Sequence, residues 1–498
     1  MKVRTATVGG IMTCLKRVSL GGVAMSRAVR FLLFAVAGLS GLIGLVILLA
    51  PLWLGPALAD RIERAASEAM GMDFKVDGPI RIRLIPGPGV SLTDVHVRND
   101  ESEWLRASSM NVRVRVSPLL RGRLEFSDIV LMEPSLELTR GHDGALNFRP
   151  DHRVDPVEER RPFELVRFHA RGASVTFSDL ASGVRLSADA CDLAGQDFVW
   201  IPAGSPNPGF PDVHAGVTCQ QVVYDTLEAS GIEAQISVHD RQLKIQLVTG
   251  RLFDGRLSGH LESDFSGAIP SHALDLELLD FRVERFVETF RQDRGVEGAA
   301  SFTLHLGSSG RTLSAVTEGL KGRAELSGTG LVLHGLDLDE QLARYESTQQ
   351  FNLVDTAALF LAGPAGVAVT RGYGFVSLFG GTGGSSTIRE LVSEWNVDGG
   401  IALARDVALS TAHNRLALTG GLNFLTEEFD DLRVAVIDAD GCAVVEQRIL
   451  GSFDDPRVER PNFLATLAGP LMDMVERGIA LFTETECEAV YTGRVAPP

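Results

Sequence analysis

Residues 110–126 read MNVRVRVSPLLRGRLEF. Within this stretch Val112, Val114 and Val116 alternate with Asn111, Arg113 and Arg115. Successive side chains of a strand point to opposite faces, so a strand here carries one apolar face and one polar face. The same two-residue period returns nearby: Ile80, Ile82 and Leu84 flank Arg81 and Arg83, Leu124 and Phe126 flank Glu125, and Leu136 and Leu138 flank Glu137. The expected fold is mainly β with short helices. Its apolar strand faces need a cover, which is either another layer of protein or a ligand.

Upstream of these strands lies Phe31 to Trp53, FLLFAVAGLSGLIGLVILLAPLW, uncharged and long enough to cross a bilayer as a helix. Lys2, Arg4, Lys16, Arg17, Arg27 and Arg30 precede it, and no acidic residue occurs before Asp60. The positive-inside rule then keeps 1–30 in the cytoplasm, spans the membrane with 31–54 and exports the rest. Ala57-Leu58-Ala59 has the form of a cleavage site, but the apolar run is longer than a usual secretory core, which favours an uncleaved anchor. Met1 and Met25 both stand as candidate starts.

The net charge is −17, from 47 basic and 64 acidic residues; without the six basic residues before Phe31 the exported part has 41 against 64, or −23. An acidic body of this kind lacks the clustered Lys and Arg of a nucleic-acid partner. Of the five cysteines, Cys14 falls on the reducing side, while Cys191, Cys219, Cys442 and Cys487 reach an oxidising compartment. Three pairings of these four are open; Cys191–Cys219 and Cys442–Cys487 close the shortest loops and are expected, with buried free thiols as the alternative. No Cys-x-x-Cys pair or neighbouring histidine points to zinc.

Breaks in the pattern divide the exported chain into an N-terminal β region (55–150), a charged, proline-containing linker (151–163), a middle β region (164–290), a C-terminal β region (291–460) and a terminal helix and tail (461–498). Helical spacing predicts short helices over 58–71, 281–293, 313–320, 338–350 and 470–482. The last carries an apolar stripe of Leu471, Met472, Val475 and Ile479, suited to core packing or to a membrane surface.

Catalytic patterns are missing. Gly380 to Ser386 lacks the Gly-Lys-Ser/Thr ending of a phosphate loop, and neither a Gly-x-Ser-x-Gly elbow nor a His-Glu-x-x-His helix occurs. His96, His169, His239, His260 and His305 stand singly in strand-like stretches and read as solvated strand-face residues. Asp430-Asp431 and Asp454-Asp455 read as turn residues. No catalytic residue, metal or cofactor is expected.

The order of several segments resembles the AsmA family of envelope proteins. After the anchor and the short helix IERAASEAMG come DGPIRIRLIPGPGVSLTDVHVRN and WLRASSMNVRVRVSPLLRGRLEFSDIVLMEPSLELTRGHDGALNF. The Pro-x-Pro-Gly turn, the SPLLRGRLEF step and the DG-x-x-NF close are typical. LFDGRLSGHL is similar to the family's Gly-Gly strand pair, with Asp254 in place of the first glycine. GSSGRTLSAVTEGLKGRAELSGTGLVLHGLDL and GSFDDPRVERP resemble its C-terminal region.

The resemblance implies a periplasmic structure tethered to the inner membrane, and an elongated, curved antiparallel β-sheet groove, taco-like, with a hydrophobic interior that holds lipid tails. It implies phospholipids as partners, a role in phospholipid traffic to the outer membrane and in its integrity, and no catalytic residues. The groove candidates are Ile80, Ile82, Leu84, Val112, Val114, Val116, Leu124, Phe126, Leu136 and Leu138. Roughly twenty strands at about 4.8 Å give a groove on the order of 100 Å long, short enough to call for an envelope partner protein or a shuttle-like role. Three alternatives stay open: an ordinary β-sandwich, an outer-membrane protein assembly factor that binds polypeptide at a sheet edge, and an enzyme whose site no motif reveals.

Overall fold

The computed structural model describes residues 60–64, 66–67, 72–83, 87–99, 102–115, 126–147, 163–200, 212–290, 295–340, 342, 384–459 and 489–498. The expected membrane span, the linker over 151–162, the helix over 470–482, Leu84, Val116, Leu124 and Cys487 lie outside them. Among the described residues no helix is long and apolar enough to cross a membrane. Arg61–Pro498 forms one compact unit.

Within that unit the two-residue periods become a single 22-stranded sheet. Its N-terminal part holds β1 (Asp73–Val76), β2 (Arg81–Arg83), β3 (Gly89–Asn99), β4 (Ser102–Val114), β5 (Phe126–Met132) and β6 (Ser135–Arg140). The middle part holds β7 (Phe163–Asp179), β8 (Arg185–Trp200), β9 (Asp212–Tyr224), β10 (Leu227–His239), β11 (Gln242–Leu252), β12 (Gly255–Asp264) and β13 (Ser271–Arg282). The C-terminal part holds β14 (Val296–Glu297), β15 (Ala299–Ser309), β16 (Lys321–His334), β17 (Ser385–Asp398), β18 (Ile401–Ser410), β19 (Arg415–Asn423), β20 (Glu428–Ile437), β21 (Ala443–Ser452) and β22 (Pro456–Val458).

From β7 to β13, and from β15 to β22, each strand pairs antiparallel with the next; β13 joins β15 directly, and β14 pairs with β16. Tight turns enforce this order. Asp240 and Arg241 between β10 and β11, and Phe253 and Asp254 between β11 and β12, take positive φ at both central positions, the two-residue turn whose twist matches a hairpin. Phe253 is an unusual residue there, and its ring packs 5.4 Å from that of Phe286 and 6.3 Å from that of Phe281.

The sheet is mixed, which corrects the expectation of a purely antiparallel one. β5 and β6 follow one another along the single long strand β7 and both run parallel to it, Phe126 opposite Leu165 and Leu138 opposite Phe177. A parallel neighbour requires a crossover of a dozen or more residues, and the chain between Arg140 and Phe163 has that length. Glu133, at φ +49, and Pro134 separate the two short strands.

The helices are shorter than their sequence periods. α1 (Val283–Phe290) follows β13, so Phe281 belongs to the strand and not to the helix. α2 (Leu313–Glu318) begins at Thr312, whose side chain accepts from the Ala315 amide at 3.2 Å, and is capped by Gly319, leaving Leu320 and Gly322 beyond it. The expected bridge between Cys191 and Cys219 is present, joining facing positions on β8 and β9. Cys442 is also disulfide-bonded.

The main core lies under β13–β21 on one face, where Phe286 of α1 and Leu338 join Leu326, Leu391, Leu422 and Phe429. On the other face the C-terminal residues 489–498 cover Val392, Ala408, Ala417 and Ala435 with Tyr491 and Val495. Asp406 anchors this tail: the Tyr491 hydroxyl donates to Oδ1, while the Arg494 amide (3.2 Å) and Nε (2.9 Å) donate to Oδ2. Burial pushes the Asp406 carboxyl up, but the donors from Tyr491 and Arg494 outweigh it and hold the group below the usual aspartate range. Burial, then the bond to Asp406, raises the Tyr491 phenol.

Three outcomes follow. A group depressed in the folded state stabilises fully above its unfolded pKa of about 3.9 and loses that contribution as pH falls through the lower folded value. Protection of the Arg494 and Val495 amides, measured by hydrogen exchange corrected for intrinsic rates, should therefore persist from neutral pH to about pH 4 and disappear below it. The Asp406→Asn variant should lose at least about tenfold of this protection at neutral pH. Replacing both Cys191 and Cys219 by Ser should cost about 2–4 kcal/mol in chemical denaturation.

Candidate functional site

Residues paired across neighbouring strands share a face, so the register shows what lies beside what. Starting at β2, Ile82 pairs with Val90, Val90 with Val112, Val112 with Ile129, and Ile129 with Phe168. The line continues through Gly195, Ala215, Ile236, Ile245, Leu261, Leu274 and Leu306. It ends through Gly322, Val397, Ala402 and Leu422 at Phe429 on β20. One register line thus crosses the sheet with apolar or glycine residues only. Gly195 is required for packing, because a Cβ there would come 2.1 Å from the Phe168 ring.

One residue along, the neighbouring line is largely polar: Asn111, Val130, His169, Ala194, Gly216, Gln235, Gln246, His260, Asp275, His305, Arg323 and Asn396. His305 Nδ1 lies 2.7 Å from Asp275 Oδ1, and Arg113 pairs with Asp128 at 3.5 Å. The sheet therefore separates an apolar face from a hydrophilic one.

The apolar face is covered unequally. At its N-terminal end Ile62 and Ala66, on the short helical segment before β1, pack against the cluster of Phe74, Leu92, Val95 and Val97. At its C-terminal end Ala402, Leu422 and Phe429 are sealed in the main core, at 3%, 0% and 4% exposure. Across β9–β13, Ala215, Ile236, Ile245, Leu261 and Leu274 remain half-buried. Of the described helices, α1 packs Phe286 against Phe253 at the turn between β11 and β12 and against Phe281 of β13, and α2 packs against β15. The Cys191–Cys219 bridge lies on this same apolar face, packed with Ala170 and Ala173.

Of the sequence candidates, Ile82 and Val112 stand in the apolar line, and Ile80 packs against the N-terminal cluster. Val114 is half-buried opposite Phe126 on β5. Leu136 and Leu138 are half-buried on β6, opposite Val175 and Phe177. Ile236, Ile245, Leu261, Leu274 and Leu306 were legible as strand residues, in IEAQISVHD, LKIQLVTG and their neighbours; their place beside Val112 depends on register. His96 is corrected: at 5% exposure it is buried among acidic side chains and is no solvated strand-face residue. His169, His239, His260 and His305 do keep solvent contact.

A depression of about 710 Å³ opens over β7–β12, lined by Arg167, His169, His214 and Lys244 together with Gly195, Ala215 and Ile236. A second of about 380 Å³ adjoins it, lined by Arg171, Asp192 and Glu233 together with Ala170, Leu193 and Val217. Charged and polar side chains stand among apolar ones in both.

The family model of the AsmA family fits residues 25–155 and 181–365, more than half of the chain. No curated protein sequence matches the chain.

Truncations should separate the covered from the uncovered part of the apolar face. Leu422→Ala, in the sealed core, should cost about 2–5 kcal/mol. Ile236→Ala, half-buried in the lipid-free chain, should cost about 1 kcal/mol. Chemical denaturation of both variants measures the contrast.

Proposed function

The chain belongs to the AsmA family, whose membership supports an envelope-associated role, and from that premise we propose that it binds phospholipid acyl chains along the apolar face of its sheet. The observation that carries this reading is the unbroken apolar register line from Ile82 to Phe429, half-buried where it crosses β9–β13. Apolar surface in water costs about 25 cal/mol per Å², and acyl chains cover it without needing a single polar contact.

Dimensions favour hydrocarbon. From β7 to β13 the line crosses strands spaced about 4.8 Å apart, or about 29 Å in all, close to the roughly 30 Å hydrocarbon core of a bilayer. The hydrophilic residues of the other face stay in water, so the sheet has the two-sided character of a lipid chaperone. In this reading the taco-like groove forms around the apolar face, and Phe31–Trp53 anchors the chain in the inner membrane with its bulk in the periplasm. The bridge between Cys191 and Cys219 fits an oxidising compartment. The chain serves phospholipid transport to the outer membrane and its integrity as a binding protein, not an enzyme, with envelope proteins extending its reach.

Polypeptide capture at a sheet edge finds less support. Among the described residues the end strand β22 has 3 residues and begins with Pro456, and β1 and β2 have 4 and 3. Short edges and edge prolines discourage strand addition.

The test is lipid mass spectrometry of the full chain extracted in mild detergent, with photocrosslinkers at Ile236 and Gln235. Stoichiometric phospholipid, crosslinked from Ile236 and not from Gln235, is the expected result. Absence of lipid, with Ile236 crosslinking only within the chain or to captured polypeptide, would overturn the reading.

A further inference from the structure

At the N-terminal end of the sheet a buried imidazole faces two carboxylates. His96 lies on β3 and is 5% exposed. Its Nδ1 stands 2.9 Å from Glu103 Oε1. The other oxygen of Glu103 is held by Arg98, through Nε at 3.3 Å and a terminal nitrogen at 3.2 Å. A carboxylate paired with a guanidinium only accepts hydrogen bonds, so the imidazole carries its proton on Nδ1.

Nε2, on the far side of the ring from that bond, is buried without a hydrogen-bond partner. The atoms it faces are carboxylate oxygens: Asp94 Oδ1 at 3.1 Å and Asp77 Oδ2 at 3.5 Å. Arg106 reaches Asp94 Oδ1 at 3.4 Å on a solvent-exposed arm. Two carboxylate oxygens and a buried imidazole nitrogen without a hydrogen bond converge on one point, a set that a cation among them would satisfy.

The spacing is that of a ligand set. Around an ion with bonds of about 2.0–2.2 Å, adjacent ligand atoms stand about 3.0–3.5 Å apart. The two separations from Nε2 fall in that interval, and the three donor atoms lie within 4.8 Å of one another.

The backbone holds the three residues together. Asp94 adopts φ +53, uncommon for a residue other than glycine. Its carbonyl accepts from the Asp77 amide at 3.0 Å, and the Thr93 carbonyl accepts from the Gly78 amide at 3.0 Å. A Cβ at position 78 would lie 2.5 Å from the Thr93 oxygen, so this close approach depends on glycine. Asp77, the residue that follows β1, is thereby fixed beside the bend in β3.

We infer that Asp77, Asp94 and His96 bind one divalent transition-metal ion, with Glu103 orienting the imidazole and water completing the coordination. One nitrogen and two carboxylate oxygens without a thiolate suit ions such as Zn²⁺ or Mn²⁺ better than Ca²⁺ or Mg²⁺, which favour all-oxygen sets. Carboxylate-to-histidine support of this kind fixes the metal-binding tautomer. The ion ties the end of β1 to β3, beside the cluster of Phe74, Val76 and Val95.

Co²⁺ is the probe, titrated into the full chain in detergent micelles after treatment with a chelator. One equivalent should develop visible absorption distinct from the aquo ion, and Zn²⁺ should displace it. His96→Gln should abolish the signal, Glu103→Gln should weaken binding about 10–100-fold, and His260→Gln, far along the sheet, should leave it unchanged. Asp77→Asn alters an exposed carboxylate, so it retains the fold by circular dichroism and should still weaken binding. A spectrum that stays that of the aquo ion, or equal binding by wild type, Asp77→Asn and His96→Gln, would overturn the assignment.

Discussion

Cross-strand register is the constraint on which the rest of the molecule depends. A strand side chain has only two faces to choose between, and pairing fixes the choice for every neighbour at once. Because Val112 faces Val90 on one side and Ile129 on the other, its face becomes that of Phe168, Ala215 and Ile236 strands away. A slip of one residue at any pair would turn the apolar line onto the hydrophilic face. Two-residue turns such as Asp240-Arg241 and Phe253-Asp254 leave little freedom for such a slip. The facing pair Cys191 and Cys219 locks the register of β8 against β9 covalently.

A sheet this large has to dispose of its apolar face by different means along its length. At the C-terminal end protein does so on both sides: α1 and Leu338 close one face, and the tail around Tyr491 and Val495 closes the other. The tail holds through charge as much as through apolar contact, since Arg494 also reaches Glu325 at 2.9 Å and Glu394 at 3.1 Å. At the N-terminal end Ile62 and Ala66 provide a small cover. Between these ends the half-buried residues of β9–β13 are where the family's lipid-binding expectation finds physical footing. The hydrophilic face offers no comparable apolar line, since the residues lining its depression include Arg167, His169, His214 and Lys244.

Much of this was legible in the residues alone. The alternation over 81–83, 112–114 and 136–138 marked strands, and shortest-loop pairing of cysteines found Cys191–Cys219. Helix positions were legible but not their limits: Phe281 opens the segment FRVERFVETFRQD, whose Phe286, Val287 and Phe290 have helical spacing, yet ladder pairing with Ala300 keeps it in β13. The parallel placement of β5 and β6 beside β7 was not legible, since a crossover leaves no local periodicity. Nor was the environment of His96, whose acidic neighbours Asp77 and Glu103 come from β1's end and from β4.

The sequence by itself therefore determined the two-residue period of many strands, the places of several turns and the family to which the chain belongs, because these are set by residues within a few positions of one another. Only the tertiary structure decided which strands neighbour which, that the apolar residues of separate strands align into one line, which part of that line protein covers, and which carboxylates surround His96. Those outcomes depend on pairing and packing between residues tens of positions apart, and local physical chemistry is the same whichever partner a strand finds.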